Sequence, residues 1–410
     1  MYYLLEEFYR NIYGAIEGMR ILYITSSFDK IGSASVRNIG LVNGLLNNGC
    51  EVDVLTQYWP DSMVDVSLKK YQDNRTCIYR DSIPIINRYF SSTQMSSTVK
   101  KKNKIARFIV ELAKQIYFFP DIDKEWIRIY KKNLDYKNYD LIISSSDTKT
   151  AHFIANSIKK EYRTPWFSYW GDPWKDDMGT KGIKKILASI YEKKFIRNSD
   201  AIFYTSIPTI TAIKNTFGNL ENIYYLPRGY LEQIVEKPAE SNTIRLLYPG
   251  SIYYGRNISN LIEQIKYHNE KKRIKIQLDI YGYCDDRLKE IYQSKYVIFH
   301  NQVDFSMINN VIAKSDGLII LMNDANSHQI PGKLYDFFGT NKMIVAIMPG
   351  KNQEVEKFLK NTGRCLVYES RDINLEEIIE NVHSECWRPL EDYDPNVIAK
   401  SLLEVYDKIK

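Results

Sequence analysis

The chain has 410 residues, of which 44% are hydrophobic and 26% are charged. This composition is typical of globular proteins and excludes a disordered chain. At about 150 residues per domain, the length predicts two or three domains. The formal net charge of +6 is too weakly basic to indicate a nucleic-acid partner on its own.

Targeting signals and cysteines indicate where the protein works. The longest apolar runs, residues 317–322 and 343–348, are much shorter than the ~20 residues that a bilayer helix needs. The first eighteen residues lack the basic start and apolar stretch of a secretory signal. The five cysteines are scattered without a C-x-x-C pair, which favours a reducing compartment and argues against a disulfide framework or a zinc site. We therefore expect a cytoplasmic protein, either free or peripheral on the inner face of the cell membrane.

The beginning of the chain has two interpretations. Residues 1–18 place Leu5, Phe8, Ile12 and Ile16 at helical spacing, so they form either a short amphipathic helix or upstream sequence outside the fold. Neither interpretation gives them a catalytic role. A buried first strand follows directly after Met19.

Strands and helices then alternate in two runs separated by a polar segment, residues 230–243. In the first run we predict strands at 21–26, 51–57, 140–145, 166–170, 201–206 and 222–226, and helices at 34–48, 148–160, 183–197 and after Ser206. In the second run we predict strands at 245–249, 274–282, 297–303, 317–322, 343–348 and 365–368, and helices at 257–268, 306–314 and 333–338. Such alternation predicts parallel sheets covered by helices. The expected division is an α/β domain at 19–228, a second at 229–388 and a C-terminal helix within 389–410, whose packing partner the spacing does not reveal.

In open α/β sheets, ligands bind beyond the carboxyl ends of the strands, so the loops there are the candidate site. The first loop carries Gly32 before a helix, where the backbone and the helix N-terminus favour an anion. It contains neither a dinucleotide fingerprint nor a P-loop, and a structural turn is the alternative. A second loop places Asp172 between Gly171 and Pro173, as either a hydroxyl-binding acid or a helix cap.

Two loops of the second domain point to a diphosphate. Gly250 and Gly255 bracket a loop that delivers Arg256 to the start of a helix. In the segment IPGKLYDFF, Gly332 and Lys333 open a helix and Asp336 follows one turn later. A lysine beside free amides with a nearby carboxylate suits a phosphate next to a ribose diol.

Together these motifs resemble the retaining glycosyltransferases of family 4. The resemblance runs from Met19 to near the C-terminus and rests on the ordered segments RILYITSSF, NNGCEVDVLT, DLIISSSDTKTAHFIA, TPWFSYWGDPW, LLYPGSIYYGR and IPGKLYDFFGTNKMIVAI. It implies a GT-B fold, in which two Rossmann-like domains face each other across a cleft. It also implies transfer of a sugar from a nucleoside diphosphate sugar to a glycan or lipid-linked acceptor, with retention at the anomeric carbon, in surface-polysaccharide biosynthesis.

Carried over by position, the resemblance assigns a role to each candidate residue. The implied catalytic residues are Arg256, Lys333 and Asp172, and the implied donor-binding residues are Gly32, Ser33, Gly250, Ser251, Gly332, Leu334 and Asp336. Arg256 and Lys333 would neutralise the leaving diphosphate, and Asp336 would bind the ribose. No D-x-D motif lies in a predicted strand-end loop, so we expect a reaction without metal or other cofactor.

Four features differ from the family pattern. His328 replaces the first acid of a paired-glutamate motif, and Asp336 is one methylene shorter than the usual second acid. Ser251 replaces an arginine, and no histidine lies in the loop around Asp172. Two other functions therefore stay open. A nucleotide-sugar 2-epimerase would use the same diphosphate site without an acceptor, and a non-catalytic protein would bind a sugar without turnover.

A last pattern concerns lipid. Residues 100–119 combine four lysines at their start, Lys100, Lys101, Lys102 and Lys104, with an apolar stripe that includes Ile105 and Ile116. The pattern is typical of a helix lying beside anionic lipid, or of a domain helix whose stripe faces the sheet. The first interpretation predicts peripheral membrane contact without a spanning segment.

Overall fold

A computed structural model describes residues 18–84, 115–130, 134–177, 180–218, 220–236, 241–252, 256–325 and 327–410. Within them lie two sheets, of seven and six strands, in which every strand pair is parallel. The strands of the first sheet are β1 (Arg20–Thr25), β2 (Glu51–Gln57), β3 (Cys77–Asp81), β4 (Leu141–Ser145), β5 (Trp166–Trp170), β6 (Ala201–Tyr204) and β7 (Ile223–Tyr225). Those of the second sheet are β8 (Thr243–Tyr248), β9 (Lys275–Tyr281), β10 (Val297–His300), β11 (Gly317–Leu321), β12 (Met343–Met348) and β13 (Cys365–Glu369).

The helices pack on both faces of these sheets. Those of the first half are α1 (Ser33–Asn47), α2 (Trp126–Ile129), α3 (Thr150–Tyr162), α4 (Gly182–Asn198) and α5 (Ile207–Phe217). Those of the second half are α6 (Ser259–Lys271), α7 (Asp286–Tyr292), α8 (Phe305–Ala313), α9 (Lys333–Phe338), α10 (Gln353–Asn361), α11 (Leu375–Asn381) and α12 (Pro395–Ile409). This architecture confirms the predicted α/β class with two Rossmann-like domains.

The central strands are buried on both faces, as covered parallel sheets require. All five residues of β4, of β5 and of β11 are buried, and all six of β12. Their sequences are mostly apolar, and continuously so from Leu318 to Leu321 and in β12, which is the reason that they can be predicted. The edge strand β3 has the mixed sequence CIYRD and is only partly buried, and the sequence analysis does not predict it.

Both sheets reverse their strand order at the first strand. The first has the order β3-β2-β1-β4-β5-β6-β7 and the second β10-β9-β8-β11-β12-β13. The reversal between β1 and β4, and between β8 and β11, opens a crevice at the carboxyl ends of these strands. The loops after β1, β4, β8 and β11 therefore define where a ligand binds.

The C-terminal helix α12 returns to the first domain. Ile398, Leu402 and Tyr406, at i, i+4 and i+8, join the core formed by α1 and the first sheet. The two helices meet at Gly44, where a Cβ atom would lie 2.1 Å from the carbonyl oxygen of Pro395. The chain thus crosses between domains twice, which ties them together.

Some predictions lie outside the described residues. These include residues 1–17, most of the 100–119 segment and Gly255. Within the described part of the chain, no helix combines the length and apolarity that crossing a membrane requires.

Candidate functional site

A cavity of about 370 Å³ lies in the cleft between the domains, at the switch points of both sheets. Seven of the predicted site residues line it: Ser33, Asp172, Gly250, Ser251, Arg256, Gly332 and Lys333. They come from loops that are distant in the sequence, and the parallel topology brings those loops to one place. The cavity also has polar and charged lining residues that the sequence analysis does not select: Arg37, Asp147, Thr205, Arg228, Tyr248, Asn323 and Gln329.

The wall from the second domain is cationic. Arg256 is oriented by Asn323, whose side-chain oxygen accepts from its Nη2 at 3.0 Å, and by the carbonyl oxygen of Ser251 at 3.3 Å from its Nη1. The Lys333 ammonium donates to the carbonyl oxygen of Pro249. The loops after β8 and β11 thus hold both cations against the cavity, as a site for an anion requires.

Electrostatics at Lys333 fit an anion site. Burial lowers its pKa to about 8; Asp336 opposes this shift, and Arg256 and Arg228 add to it. A cation crowded by other cations is stabilised by an incoming anion. A bound diphosphate would therefore stabilise the protonated form of Lys333, which this environment disfavours.

Two glycines of this wall allow close approach. A Cβ atom on Gly332 would lie 2.6 Å from Nη1 of Arg228 and 2.7 Å from Cβ of Ser33, so the two domains touch at this point. A Cβ atom on Gly250 would meet the ring of Tyr248 at 2.6 Å. A side chain at Gly332 would push the two walls apart, whereas one at Gly250 would displace the ring of Tyr248 within the second-domain wall.

Three predicted donor residues lie near the cavity without lining it. Leu334 is fully buried in the core of the second domain. Gly32 precedes α1 with a φ of 140°, a conformation that favours glycine. The carboxylate of Asp336 is paired with Arg228, whose Nη2 lies 2.5 Å from its Oδ1.

The wall from the first domain carries both acidic and basic side chains. Asp172, on the loop after β5, faces Asp147 and Lys149, which follow β4. Nζ of Lys149 lies 3.1 Å from Oδ1 of Asp147 and also donates to the carbonyl oxygen of Asp172 at 3.4 Å. Arg37, from α1, stacks over the ring of Tyr169 at 5.0 Å.

The two acids of this wall have different pKa values. Burial, together with the charge of Asp147, raises the pKa of Asp172 to about 6. The pKa of Asp147 lies below its ordinary value, because Lys149 and Arg37 together outweigh the effect of burial. Asp147 stays ionised at neutral pH, whereas Asp172 titrates close to it. A carboxyl group with a pKa near the working pH is suited to accept a proton from a hydroxyl group.

Sequence reasoning missed Arg37, Asp147, Lys149 and Arg228. Arg37 lies in the second turn of α1, an apolar-rich helix, where a single arginine does not stand out. The segment SSDTK at the end of β4 has the composition of an ordinary polar loop. Their position after strands at the switch point was the available signal. Arg228 lies shortly after β7, at the passage between the domains, and β7 is an edge strand away from the switch point of its sheet.

Hydrogen bonds hold the cleft closed around the cavity. The hydroxyl of Tyr335 donates to the carbonyl oxygen of Thr205 at 2.7 Å, and Ser206 and Thr209 donate to the carbonyl oxygen of His328 at 3.3 Å. His328 itself points its Nδ1 towards Glu354, at 3.5 Å. This position, where the family pattern has an acid, thus contributes through its backbone to domain contact.

No family model matches the sequence, and no curated protein matches it either. Solved structures do match the fold. HepE from Anabaena in complex with UDP and glucose superposes with a TM-score of 0.57 at 13% identity, covering 95% of this chain and 98% of HepE. TarM gives a TM-score of 0.58 at 11% identity, covering 96% of each chain.

A UDP-N-acetylglucosamine 2-epimerase gives a TM-score of 0.53 at 10% identity, covering 95% of each chain. Identities this low establish a shared fold and not a shared activity. The likeness extends over nearly the whole chain, so it includes both domains and the cleft between them. The protein therefore has the predicted GT-B fold, with two Rossmann-like domains facing each other across a cleft.

Proposed function

We propose that the protein is a glycosyltransferase that moves a sugar from a nucleoside diphosphate sugar to an acceptor hydroxyl. The proposal rests on the arrangement of charges in the cavity. Arg256 and Lys333 line one wall, and Asp172, whose pKa is about 6, lines the other. The cations suit a diphosphate and the carboxyl suits a hydroxyl group. The complexes of HepE with UDP, and with UDP and glucose, make a UDP-sugar the first donor to test.

The proposed reaction breaks the bond between the anomeric carbon and the diphosphate oxygen, and the electron pair stays on that oxygen. The acceptor oxygen forms the new bond to the anomeric carbon, and its proton passes to the carboxylate of Asp172. Arg256 and Lys333 stabilise the charge that develops on the leaving group, which is the largest contribution that such a site makes. We propose retention at the anomeric carbon, which the resemblance to family 4 supports, and the configuration of the product by NMR tests it.

The same two cations can neutralise the diphosphate, so we propose that transfer needs no divalent metal and no cofactor besides the donor. Activity that persists after chelation supports this part of the proposal. Activity that is lost with the chelator and restored by Mg²⁺ or Mn²⁺ would contradict it.

A donor screen tests the proposal itself. UDP-, GDP-, ADP- and dTDP-sugars are incubated with and without glycan and lipid-linked acceptors, and release of the nucleoside diphosphate is measured. We expect release that depends on the acceptor. Binding of a donor without any turnover across the acceptor panel would instead favour a non-catalytic sugar-binding protein.

A second candidate, a nucleotide-sugar 2-epimerase, is favoured by the fold match to such an enzyme. It predicts conversion of the donor in the absence of any acceptor. Incubation with donor alone, followed by NMR of the sugar, distinguishes the two. Epimer formation would favour this candidate over transfer.

For the acceptor, we propose a lipid-linked glycan of surface-polysaccharide biosynthesis, met through peripheral contact of residues 100–119 with anionic lipid. Residues 100–114 lie outside the described part of the chain. In the described part, Ile116 and Tyr117 are 53% and 55% exposed, which supports an apolar contact at this end of the segment. Sedimentation with anionic liposomes at low and high salt tests it. Binding that is absent, or unchanged when Lys100, Lys101, Lys102 and Lys104 are replaced by Glu, would contradict it.

A further inference from the structure

Arg228 lies in the passage between the two domains, and Leu226 and Pro227 separate it from β7. Its side chain lines the cleft cavity and is only 3% exposed. It lies at the point where the domains touch, since its Nη1 is 2.6 Å from where a Cβ atom of Gly332 would be. It therefore approaches the loop that presents Lys333.

Only part of the guanidinium is used within the protein. Nη2 donates to Oδ1 of Asp336 at 2.5 Å. Nε and Nη1 are buried and have no hydrogen-bond partner among the described residues. Buried donors without an acceptor are unfavourable. A ligand in the cavity that offers hydrogen-bond acceptors to these two atoms would therefore be stabilised.

The charges around Arg228 indicate what that acceptor is. Arg228 and Arg256 each lie close enough to Lys333 to influence its charge, and Asp336 is the carboxylate that faces Lys333 and Arg228. Three cations beside one carboxylate leave an excess of positive charge. A guanidinium fixed at one nitrogen, with two further unpartnered donors beside a cavity, can bind phosphate oxygens at two points.

Resting on the proposed function, we propose that Arg228 is a third ligand of the donor diphosphate, binding it through Nε and Nη1. Asp336 is then a positioning residue, which holds Nη2 and so fixes the orientation of the guanidinium. This role differs from the ribose contact that the sequence pattern predicts for Asp336, and the two roles are separable by experiment.

The chain offers a matched control in Arg364. Its side chain is also buried, its Nη2 donates to the carbonyl oxygens of Thr340 and Lys342, and its Nε and Nη1 have no partner among the described residues. Arg364 does not line the cleft cavity. Replacing it removes a buried arginine without touching the proposed diphosphate site.

The experiment measures binding of UDP, GDP, ADP and dTDP to the unmodified protein by calorimetry, and of the matching nucleoside by ligand-observed NMR. We expect Arg228→Met to weaken binding of the diphosphate at least tenfold and to leave nucleoside binding unchanged, with Arg228→Lys in between. Arg364→Met should change neither. If Arg228→Met does not fold, as thermal unfolding shows, Arg228→Lys alone carries the test.

The effect of Asp336→Asn decides its role. As a positioning residue, it should weaken diphosphate binding by a smaller factor, leave nucleoside binding unchanged and add nothing in the Arg228→Met background. Loss of nucleoside binding in Asp336→Asn would overturn the positioning role and restore the ribose contact. Wild-type affinity for the diphosphate in both Arg228 variants would overturn the inference about Arg228. Failure of the unmodified protein to bind any of the four diphosphates would instead overturn the proposed function, and this inference with it.

Discussion

The two walls of the cleft differ in charge and in how they are held. The second-domain wall presents Arg256 and Lys333, oriented by Asn323 and by backbone carbonyl oxygens. The first-domain wall combines Asp147, Asp172 and cations that partly neutralise them. The two cations of the second-domain wall stabilise an anion. On the first-domain wall, neighbouring charges of both signs shift the pKa of Asp172. In the proposed reaction, this difference would place the leaving group on the second domain and the acceptor on the first.

Removing either cation of the second-domain wall should have the largest effect on the transfer rate. Arg256→Ala and Lys333→Ala should each lower the transfer rate by roughly 10²–10³, because each removes a charge that meets the leaving group. Steady-state kinetics measures the effect, and thermal unfolding checks the fold. Lys185→Ala, which removes an exposed lysine paired with Asp176, is the control. Near-normal turnover in both cleft variants would place the diphosphate elsewhere.

The acid of the opposite wall should matter next. Asp172→Asn should lower kcat/KM by about 10², because the amide cannot accept the hydroxyl proton. With a pKa of about 6, Asp172 gains its charge as pH rises through 6, so kcat/KM of the unmodified enzyme should rise over that range. The negative charge of Asp147 contributes to the raised pKa, so Asp147→Asn should move this rise to lower pH. An unchanged profile in both variants would remove Asp172 from the reaction.

Lys333 should make diphosphate binding depend on pH at the alkaline end. Its pKa of about 8 in the free protein should rise when the diphosphate binds, so binding takes up a proton above pH 8. Affinity should therefore fall as pH rises above 8, by roughly tenfold per pH unit until the pKa of the complex is reached. Calorimetry in buffers of different ionisation enthalpy measures the proton uptake. Lys333→Arg should flatten the profile, and a fall that persists in this variant would assign it to another group.

The contact between the walls should give the smallest effect. Gly332→Ala forces a methyl group against Arg228 and Ser33, and we expect it to cost about 1–3 kcal/mol of stability. Donor affinity should fall because the two walls move apart. Gly350→Ala, whose methyl group would meet only Ala325 at 3.4 Å, is the control for thermal unfolding. Equal melting temperatures for the two variants would show that the cleft is not closed at Gly332.

Much of this arrangement could be predicted from local sequence. The helix predicted at 34–48 is observed at Ser33–Asn47, and the strand predicted at 343–348 is Met343–Met348. Lys333 and Arg256, which line the cavity, are also predicted, because glycine-containing loops after buried strands mark a switch point. Arg37 and Arg228 were not found, because their importance depends on neighbours far away in the sequence.

By itself, the sequence determined the buried strands and the division into two sheets, because strands buried on both faces are mostly apolar and are readable one by one. The edge strand β3 and the helices α2, α10 and α11 are not predicted from it. The sequence also determined that the loops after β8 and β11 lead to Arg256 and Lys333. Only the tertiary structure decided that α12 packs on α1, that Asp336 pairs with Arg228, and that Asp147 lies beside Asp172. Each of these depends on side chains that meet across the fold, and helical or strand periodicity describes one element at a time without naming its partner.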